Sequence, residues 1–549
     1  MTANEMEIYQ LTREAWEHIY CRWPAGQEPD WTAHRNRFPP PECSKEVPYL
    51  PLTKDDLLRA MRRLANRAAG GSDGWRVQEL KAMPPCFLTP LAHIYTCIEH
   101  GAPWPVAAQQ ILVSLLSKKG KPSPLNMRPI SVTPLLYRIW GAARWADMVS
   151  HQETWILPEQ KGFRPKSGPV EASVGASRFA EEGHARGLLQ MAVDLDLQKA
   201  FDQIPRKRKL IWALAEQVSM PPHVVTAWKS WYSSDQQRFY RHSGGLGLPW
   251  VATSGFVQGC ALSCIAQNLL MATLIKALSE EALNHPFVEC KQTAYADDTK
   301  WQRRAPPNRA CELQQAAKAF LRITSHWAKL GCQLFNAGKS AIWLSDECFQ
   351  GTPFFLQGKL VPLVSRMSFL GAKLPNQRRE DTAIQDIRVI KATSALNRIG
   401  LLPGEARIKW GPIACKAMAT AMYGIESSTV HKGTGGTLTG AALKASGFLR
   451  GPRAQEMVWT IFAPGHRLSF QWRQVYQTIT QLVHYYLSNH EFQNRLRFLQ
   501  ERYTHGQVMR SDGPFGQLHR ALRWLGWSWE QGPYRPFFKT HNEIGRAHV

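Results

Sequence analysis

The spacing of apolar and polar positions divides this chain into a proline-rich opening, a long mixed body and a helical, aromatic tail. Residues 24–51 hold clustered prolines without a sustained period and read as a linker or irregular arm. Helical patterning starts at Leu52, where Leu57, Leu58, Met61 and Leu64 recur at helix-face spacing and Thr53 with Asp56 forms a capping pair. The run Gly70-Gly71-Ser72-Asp73-Gly74 ends that helix in a turn. Two short apolar runs, Leu189–Leu195 and 292–296, have the length of buried strands, with helices between and after them. Residues 380–447 read as mostly helix with a flexible break over 431–440. The last hundred residues read as helical and aromatic, ending in Trp524, Trp527 and Trp529.

Composition narrows the class. The chain has 549 residues, 44% hydrophobic and 20% charged, which suits a globular protein with several subdomains. A formal charge of +24 implies a polyanionic partner, nucleic acid first. No apolar run reaches about 18 residues unbroken, so no spanning helix and no membrane partner are expected. The nearest, 260–275, is interrupted by Ser263, Gln267 and Asn268. Glu5, Glu7 and Glu14 near the start do not suit a presequence, and eleven cysteines without CxxC spacing suit reduced thiols. An intracellular protein, nuclear or cytoplasmic and not secreted, is expected.

Candidate chemistry lies in two acid-bearing segments about a hundred residues apart, each at the end of an apolar strand. The first contains Asp194, Asp196 and Asp202, the second Tyr295-Ala296-Asp297-Asp298. An isolated Asp-Asp pair is usually a solvated turn or a helix cap. Adjacent aspartates in apolar surroundings, however, are costly unless neutralised, and divalent cations with oxygen ligands neutralise them well. Asp194 and Asp196 lie two apart on one strand and share a face, so either can point inward.

The motifs resemble those of reverse transcriptases. YADD at Tyr295 to Asp298 resembles their C motif, and DLQKAFD at Asp196 to Asp202 their A motif. Between them, Gly255-Phe256-Val257-Gln258-Gly259 with Ser263 resembles the B motif. Arg128-Pro129-Ile130-Ser131 and Gln160-Lys161-Gly162-Phe163 resemble fingers segments, Asn336 to Ser340 the D motif, and Phe369-Leu370-Gly371 the E motif or primer grip. AFD, YADD, NxxKS and FLG together resemble non-LTR (LINE-type) retrotransposons, over roughly residues 70–375. Val257 and Cys264 depart from the family, which often has proline at both places.

That resemblance implies an α+β right-hand polymerase with an antiparallel palm sheet and a helical C-terminal extension. Its divisions would be an arm or linker over 1–51, fingers over 52–190, palm over 191–375, thumb over 376–450 and a helical region of unknown role over 451–549. It implies RNA-directed DNA synthesis with two Mg²⁺ ions, Mn²⁺ as a substitute, and an RNA template, a DNA primer or RNA–DNA hybrid, and dNTPs as partners. Asp196, Asp297 and Asp298 would hold the metals, with Asp196 preferred over Asp194 for its spacing to Phe201 and Asp202. Lys339 would act as general acid. Lys118, with Lys119 and Lys121 beside it, Arg128, Leu197 through its carbonyl, Phe201 as a sugar gate, Gln258 and Gly259 would form the nucleotide pocket. The basic run at 206–209 would touch backbone phosphates. The first fifty or so residues are too few for the endonuclease domain such proteins commonly carry. A catalytically inactive remnant and a group II intron maturase are the alternative classes.

Overall fold

A computed structural model describes residues 5–22, 31–43, 48–118, 123–205, 210–232, 236–242, 245–345, 351–374, 382–428, 430–447, 469–488, 513–531 and 536–540. It is a mixed helix-and-sheet protein whose sheets are mostly antiparallel. The strands are β1 (Gln110–Ser117), β2 (Met127–Val132), β3 (Leu189–Leu195), β4 (Gln237–His242), β5 (Gly245–Leu246), β6 (Glu289–Tyr295), β7 (Asp298–Ala305) and β8 (Ala341–Leu344). They continue with β9 (Phe355–Leu356), β10 (Lys359–Leu360), β11 (Leu363–Val364), β12 (Ser368–Phe369), β13 (Ala372–Lys373), β14 (Trp527–Gln531) and β15 (Pro536–Thr540).

The apolar run 189–195 becomes β3, the middle strand of a five-stranded sheet in the order β11-β8-β3-β7-β6. It pairs antiparallel with β7 (Val193↔Trp301) and β8 (Val193↔Ile342); only β11 runs parallel to its neighbour, β8. Both faces of the sheet are covered, which is why β3 is apolar almost throughout rather than alternating. On one face Trp301 packs on Phe320 of helix Ala310–Leu330, with ring centroids 4.2 Å apart. On the other, the Gln302 amide donates to the Ala176 carbonyl of helix Pro169–Ala185 at 2.9 Å. A second sheet, β2-β1-β4-β5, carries Arg128 on β2, opposite Leu116 of β1.

The helix Ala261–Ala282 follows the B-motif segment. It is long and apolar enough to cross a bilayer, but 78% of its most apolar stretch is buried inside the protein. Trp327 donates its indole N–H to Thr273 Oγ1 on this helix at 2.9 Å, so it serves as a core helix.

Helix Lys54–Arg63 starts at Thr53 with the reciprocal Thr53–Asp56 capping box, and buries Leu57 and Met61. The turn after it has a further purpose: Asp73 Oδ2 accepts from the Leu135 and Leu136 N–H groups (2.5 and 3.1 Å), capping helix Leu135–Gln152. The ten described cysteines are free thiols.

Three expectations of local structure change. Part of the stretch read as an irregular arm is helical, over Thr32–Arg37, and a longer helix precedes it at Glu5–Tyr20. Tyr9, Thr12, Trp16, Ile19 and Tyr20 are buried at helix-face spacing, so packing against the main core orders the segment. The break expected over 431–440 falls within helix Lys432–Ala445, despite Gly433, Gly435, Gly436 and Gly440. Each glycine costs about 1 kcal/mol in a helix. Here Leu438, Ala442 and Leu443 are buried in a second core with Val389 and Leu396 of helix Ala383–Gly400, and that burial offsets the cost. In the tail, Trp524 lies on helix Pro514–Leu525 as expected, but Trp527 and Trp529 lie on β14 of a hairpin with β15. The aromatic alternation Trp-Ser-Trp suits a strand.

Candidate active site

The site is built at one end of the central sheet. β6 and β7 form a hairpin with Tyr295 opposite Asp298, so Ala296 and Asp297 occupy its two-residue turn. Ala296 takes a left-handed conformation (φ 57°), which tight hairpins require. Next to the hairpin, β3 and β7 pair Asp194 with Lys300 and Leu195 with Thr299. Continuing that register sets Asp196, the residue after β3, opposite Asp298. With a side-chain period of two, Asp194 and Asp196 share a face with Asp298 and Lys300.

Lys300 distinguishes the surroundings of the two candidate aspartates. Its ammonium is fully buried, bonds Asp194 Oδ2 at 2.9 Å and donates to the Ser368 carbonyl at 3.1 Å. Asp194 thereby already has a buried cation as its partner. Asp196 has a different set of neighbours. Its N–H donates to Ser340 Oγ (3.1 Å) and its carbonyl accepts from Asn336 N–H (2.8 Å). These bonds lay the D-motif segment beside the A-motif segment, and Leu197 pairs with Phe335 just beyond. Burial raises the Asp196 pKa; Lys339 lowers it most among the charges, Asp297 and Asp194 raise it, and Lys118 lowers it.

Asp297 and Asp298 follow the same logic. Burial raises the pKa of Asp297, against Lys118 and Arg128, which lower it. Asp298 is partly exposed, and what burial its carboxyl has raises its pKa to about 6, with Asp297, Asp194 and Asp196 adding to the rise and Lys300 opposing it. Asp196, Asp297 and Asp298 thus lie at one end of the sheet, where burial and neighbouring acids raise pKa values and the cations Lys118, Arg128, Lys300 and Lys339 lower them. Among the described residues, no three His, Cys, Asp or Glu side chains are already positioned to hold a metal ion. Asp196, Asp297 and Asp298 fit divalent cations by chemistry and mutual repulsion, and ions would have to draw the three together.

The flanking segments reach this end of the sheet through specific contacts. Gln160 pairs with Ala294, and an added Cβ at Gly162 would stand 2.4 Å from the Ala296 nitrogen, so only glycine allows the 160–163 segment to lie against the turn. Phe163 meets Phe201 edge-on, with centroids 6.3 Å apart. Phe201 is half-buried against the core, and its carbonyl accepts from Phe256 N–H at 2.7 Å. Gly255 (φ 78°) lies so close to Asp202 that a Cβ would stand 2.4 Å from its carbonyl oxygen; Gly259 (φ 130°) lies equally close to the Ser131 carbonyl. The Gln258 amide donates to Asp202 Oδ2 at 2.8 Å. Val257 donates its N–H to Tyr232 Oη at 3.2 Å, a bond that the family's proline could not make.

Lys118, Arg128 and Lys339 are exposed around the acids. Lys119, Lys121 and residues 206–209 lie outside the described residues. Phe369 is buried with Trp343, Met367 and Leu374, and the turn Leu370–Gly371 of the β12–β13 hairpin is less buried. Two further residues hold that turn: Arg388 donates to the Gly371 carbonyl (2.6 Å) and Tyr423 Oη to the Leu370 carbonyl (2.7 Å). Neither lies in a motif that sequence reading picks out. Lys300 was legible in principle, two places beyond Asp298 on the same strand face.

Acids at a hairpin end, ringed by cations from separate segments, make a site suited to metal-bound phosphate esters. Residues 116–373 match the family model described as "Reverse transcriptase (RNA-dependent DNA polymerase)". It is 25% identical over 341 residues to "Probable RNA-directed DNA polymerase from transposon BS" of Drosophila melanogaster, covering 60% of this chain and 36% of that protein. It is 26% identical over 295 residues to "Transposon TX1 uncharacterized 149 kDa protein" of Xenopus laevis (52% and 22%). A third relative, "Probable RNA-directed DNA polymerase from transposon X-element" of Drosophila melanogaster, is 22% identical over 429 residues (71% and 44%). These relationships bear out the resemblance to non-LTR elements. The chain spans less than half the length of each of these relatives.

Proposed function

We propose that this protein is the reverse transcriptase of a non-LTR retrotransposon, extending a primer 3′-end with deoxynucleotides on an RNA template. The observation that carries this reading is the strand register that sets Asp196 opposite Asp298, beside the hairpin turn that holds Asp297. In this reading the central sheet is the palm, β1 and β2 belong to the fingers, and helices Ala383–Gly400 and Lys432–Ala445 to the thumb.

Asp196, Asp297 and Asp298 would hold two Mg²⁺ ions, which when bound activate the 3′-hydroxyl and steady the leaving oxygen. The chain's own residues would do the rest. Lys118 and Arg128 bind the triphosphate, the Arg with a planar fork suited to phosphate oxygens. Gln258 and Gly259 line the nucleotide pocket, and Phe201 stands under the sugar. Lys339, beside Asp196, gives a proton to the departing pyrophosphate. The Leu370–Gly371 turn supports the primer end, backed by buried Phe369.

The test is primer extension and filter binding, side by side, on wild type and Asp297→Asn. The variant should lose at least about a hundredfold in Mg²⁺-dependent extension, because a metal contribution of several kcal/mol is forfeited. Binding of primer–template and the melting temperature should hold. Wild-type protein that binds but extends nothing, in Mg²⁺ or Mn²⁺, would favour a catalytically inactive remnant.

A further inference from the structure

The N-terminal helix Glu5–Tyr20 ends inside the site just described. Tyr20, fully buried, donates its hydroxyl to Asp202 Oδ1 at 2.8 Å, and the other oxygen of the same carboxylate accepts the Gln258 amide at 2.8 Å. The helix's last carbonyls, which have no partner within the helix, are taken by the segment leading into the B motif. Thr253 N–H and Ser254 N–H donate to the Tyr20 carbonyl (2.7 and 2.9 Å), and Ser254 Oγ donates to that of Ile19 (2.6 Å). One turn earlier, Trp16 donates its indole N–H to the Pro124 carbonyl at 3.1 Å. Lys199 lies 4.2 Å over the Trp16 ring and donates to the Leu125 carbonyl at 2.7 Å. The helix thus touches the loop before Arg128, the A-motif helix Ala200–Gln203 and the B-motif loop together.

We propose that Tyr20 is a positioning residue for nucleotide binding. Through the Asp202 carboxylate it fixes which way the Gln258 amide faces, so the N-terminal helix is a working part of the nucleotide pocket. This rests on the polymerase reading above. A carboxylate has only acceptors and Gln258 must point its NH₂ group at it, leaving the amide oxygen turned the other way. Tyr20 holds the carboxylate in that rotation. Neutral replacements of the acid, or loss of the hydroxyl, let the amide turn over.

The test uses the full chain in single-nucleotide extension, with a homopolymer RNA template, a DNA primer and the matching dNTP. Tyr20→Phe should raise KM for the dNTP about three- to tenfold, the range of one buried hydrogen bond, with kcat within about twofold and an almost unchanged melting curve. Gln258→Ala should raise KM at least as far, and the double variant should be no worse than Gln258→Ala alone, as expected of residues acting in one chain. Should Tyr20→Phe fold poorly, Asp202→Asn in the same cycle reads the same coupling. An unchanged KM in folded Tyr20→Phe, or effects of Tyr20 and Gln258 that simply multiply, would overturn the proposal while leaving the polymerase reading intact. A wild type that extends nothing would remove both.

Discussion

Phe201 is held on one side by Phe163 and through its backbone by Phe256, while its ring is only half-buried. A ring fixed in that way can exclude a ribose 2′-hydroxyl by bulk alone. Phe201→Val should therefore raise ribonucleotide incorporation relative to deoxynucleotide, measured on one template with matched dNTP and rNTP. A ring with only a packing role would give a less stable variant, by up to about 3 kcal/mol, with sugar choice unchanged. Single residues also show where sequence reading stops. Asp194 and Asp196 differ in their partners, because Asp194 pairs with Lys300, a contact that depends on the register of β3 with β7. Asp202 stood in a recognisable motif, yet its partner Tyr20 is 182 positions away and nothing local marks the pair.

At the scale of elements, strength of local pattern decided what was legible. β3 was readable because a seven-residue apolar run buried on both faces has few alternatives. The capping box at Thr53 was readable because its two partners lie three residues apart. Helix Lys432–Ala445 was not, since four glycines outweigh its short apolar stripe until helix Ala383–Gly400 packs against it. The β12–β13 hairpin was visible as the Phe-Leu-Gly motif, but not the device that anchors it. Leu370 and Gly371 both adopt positive φ (50° and 79°), and Arg388 and Tyr423 hold their carbonyls from the next domain segment. Arg388→Ala should free that turn from the helix Ala383–Gly400. The expected outcome is a several-fold shorter mean product under single-encounter conditions with a trap, at a nearly unchanged rate of first addition. Equal product lengths from a folded variant would show that the turn does not depend on Arg388.

For the whole molecule, the formal charge of +24 acts through those cations that remain in water. Arg144, Lys300 and Arg304 are buried against Glu99, Asp194 and Glu182 and can contribute little to an incoming polyanion. Exposed groups are a different matter. On helix Ala383–Gly400, Lys391 and Arg398 share the outer face with exposed Ile387 and Ile390, a surface able to meet both phosphates and the apolar floor of a groove. Each phosphate neutralised releases condensed counterions, so log affinity for a duplex primer–template should fall linearly with log salt, by about 0.9 per contact. Lys391→Ala with Arg398→Ala should reduce the magnitude of that slope by about 2. The weakening should be similar across template sequences, because phosphate contacts carry no base information. Filter binding from low to moderate salt, on two unrelated template sequences, measures both quantities. A slope unchanged in the double variant would place the phosphate-binding face elsewhere on the molecule, and a slope near zero in the wild type would mean that its basic excess does not serve nucleic-acid binding.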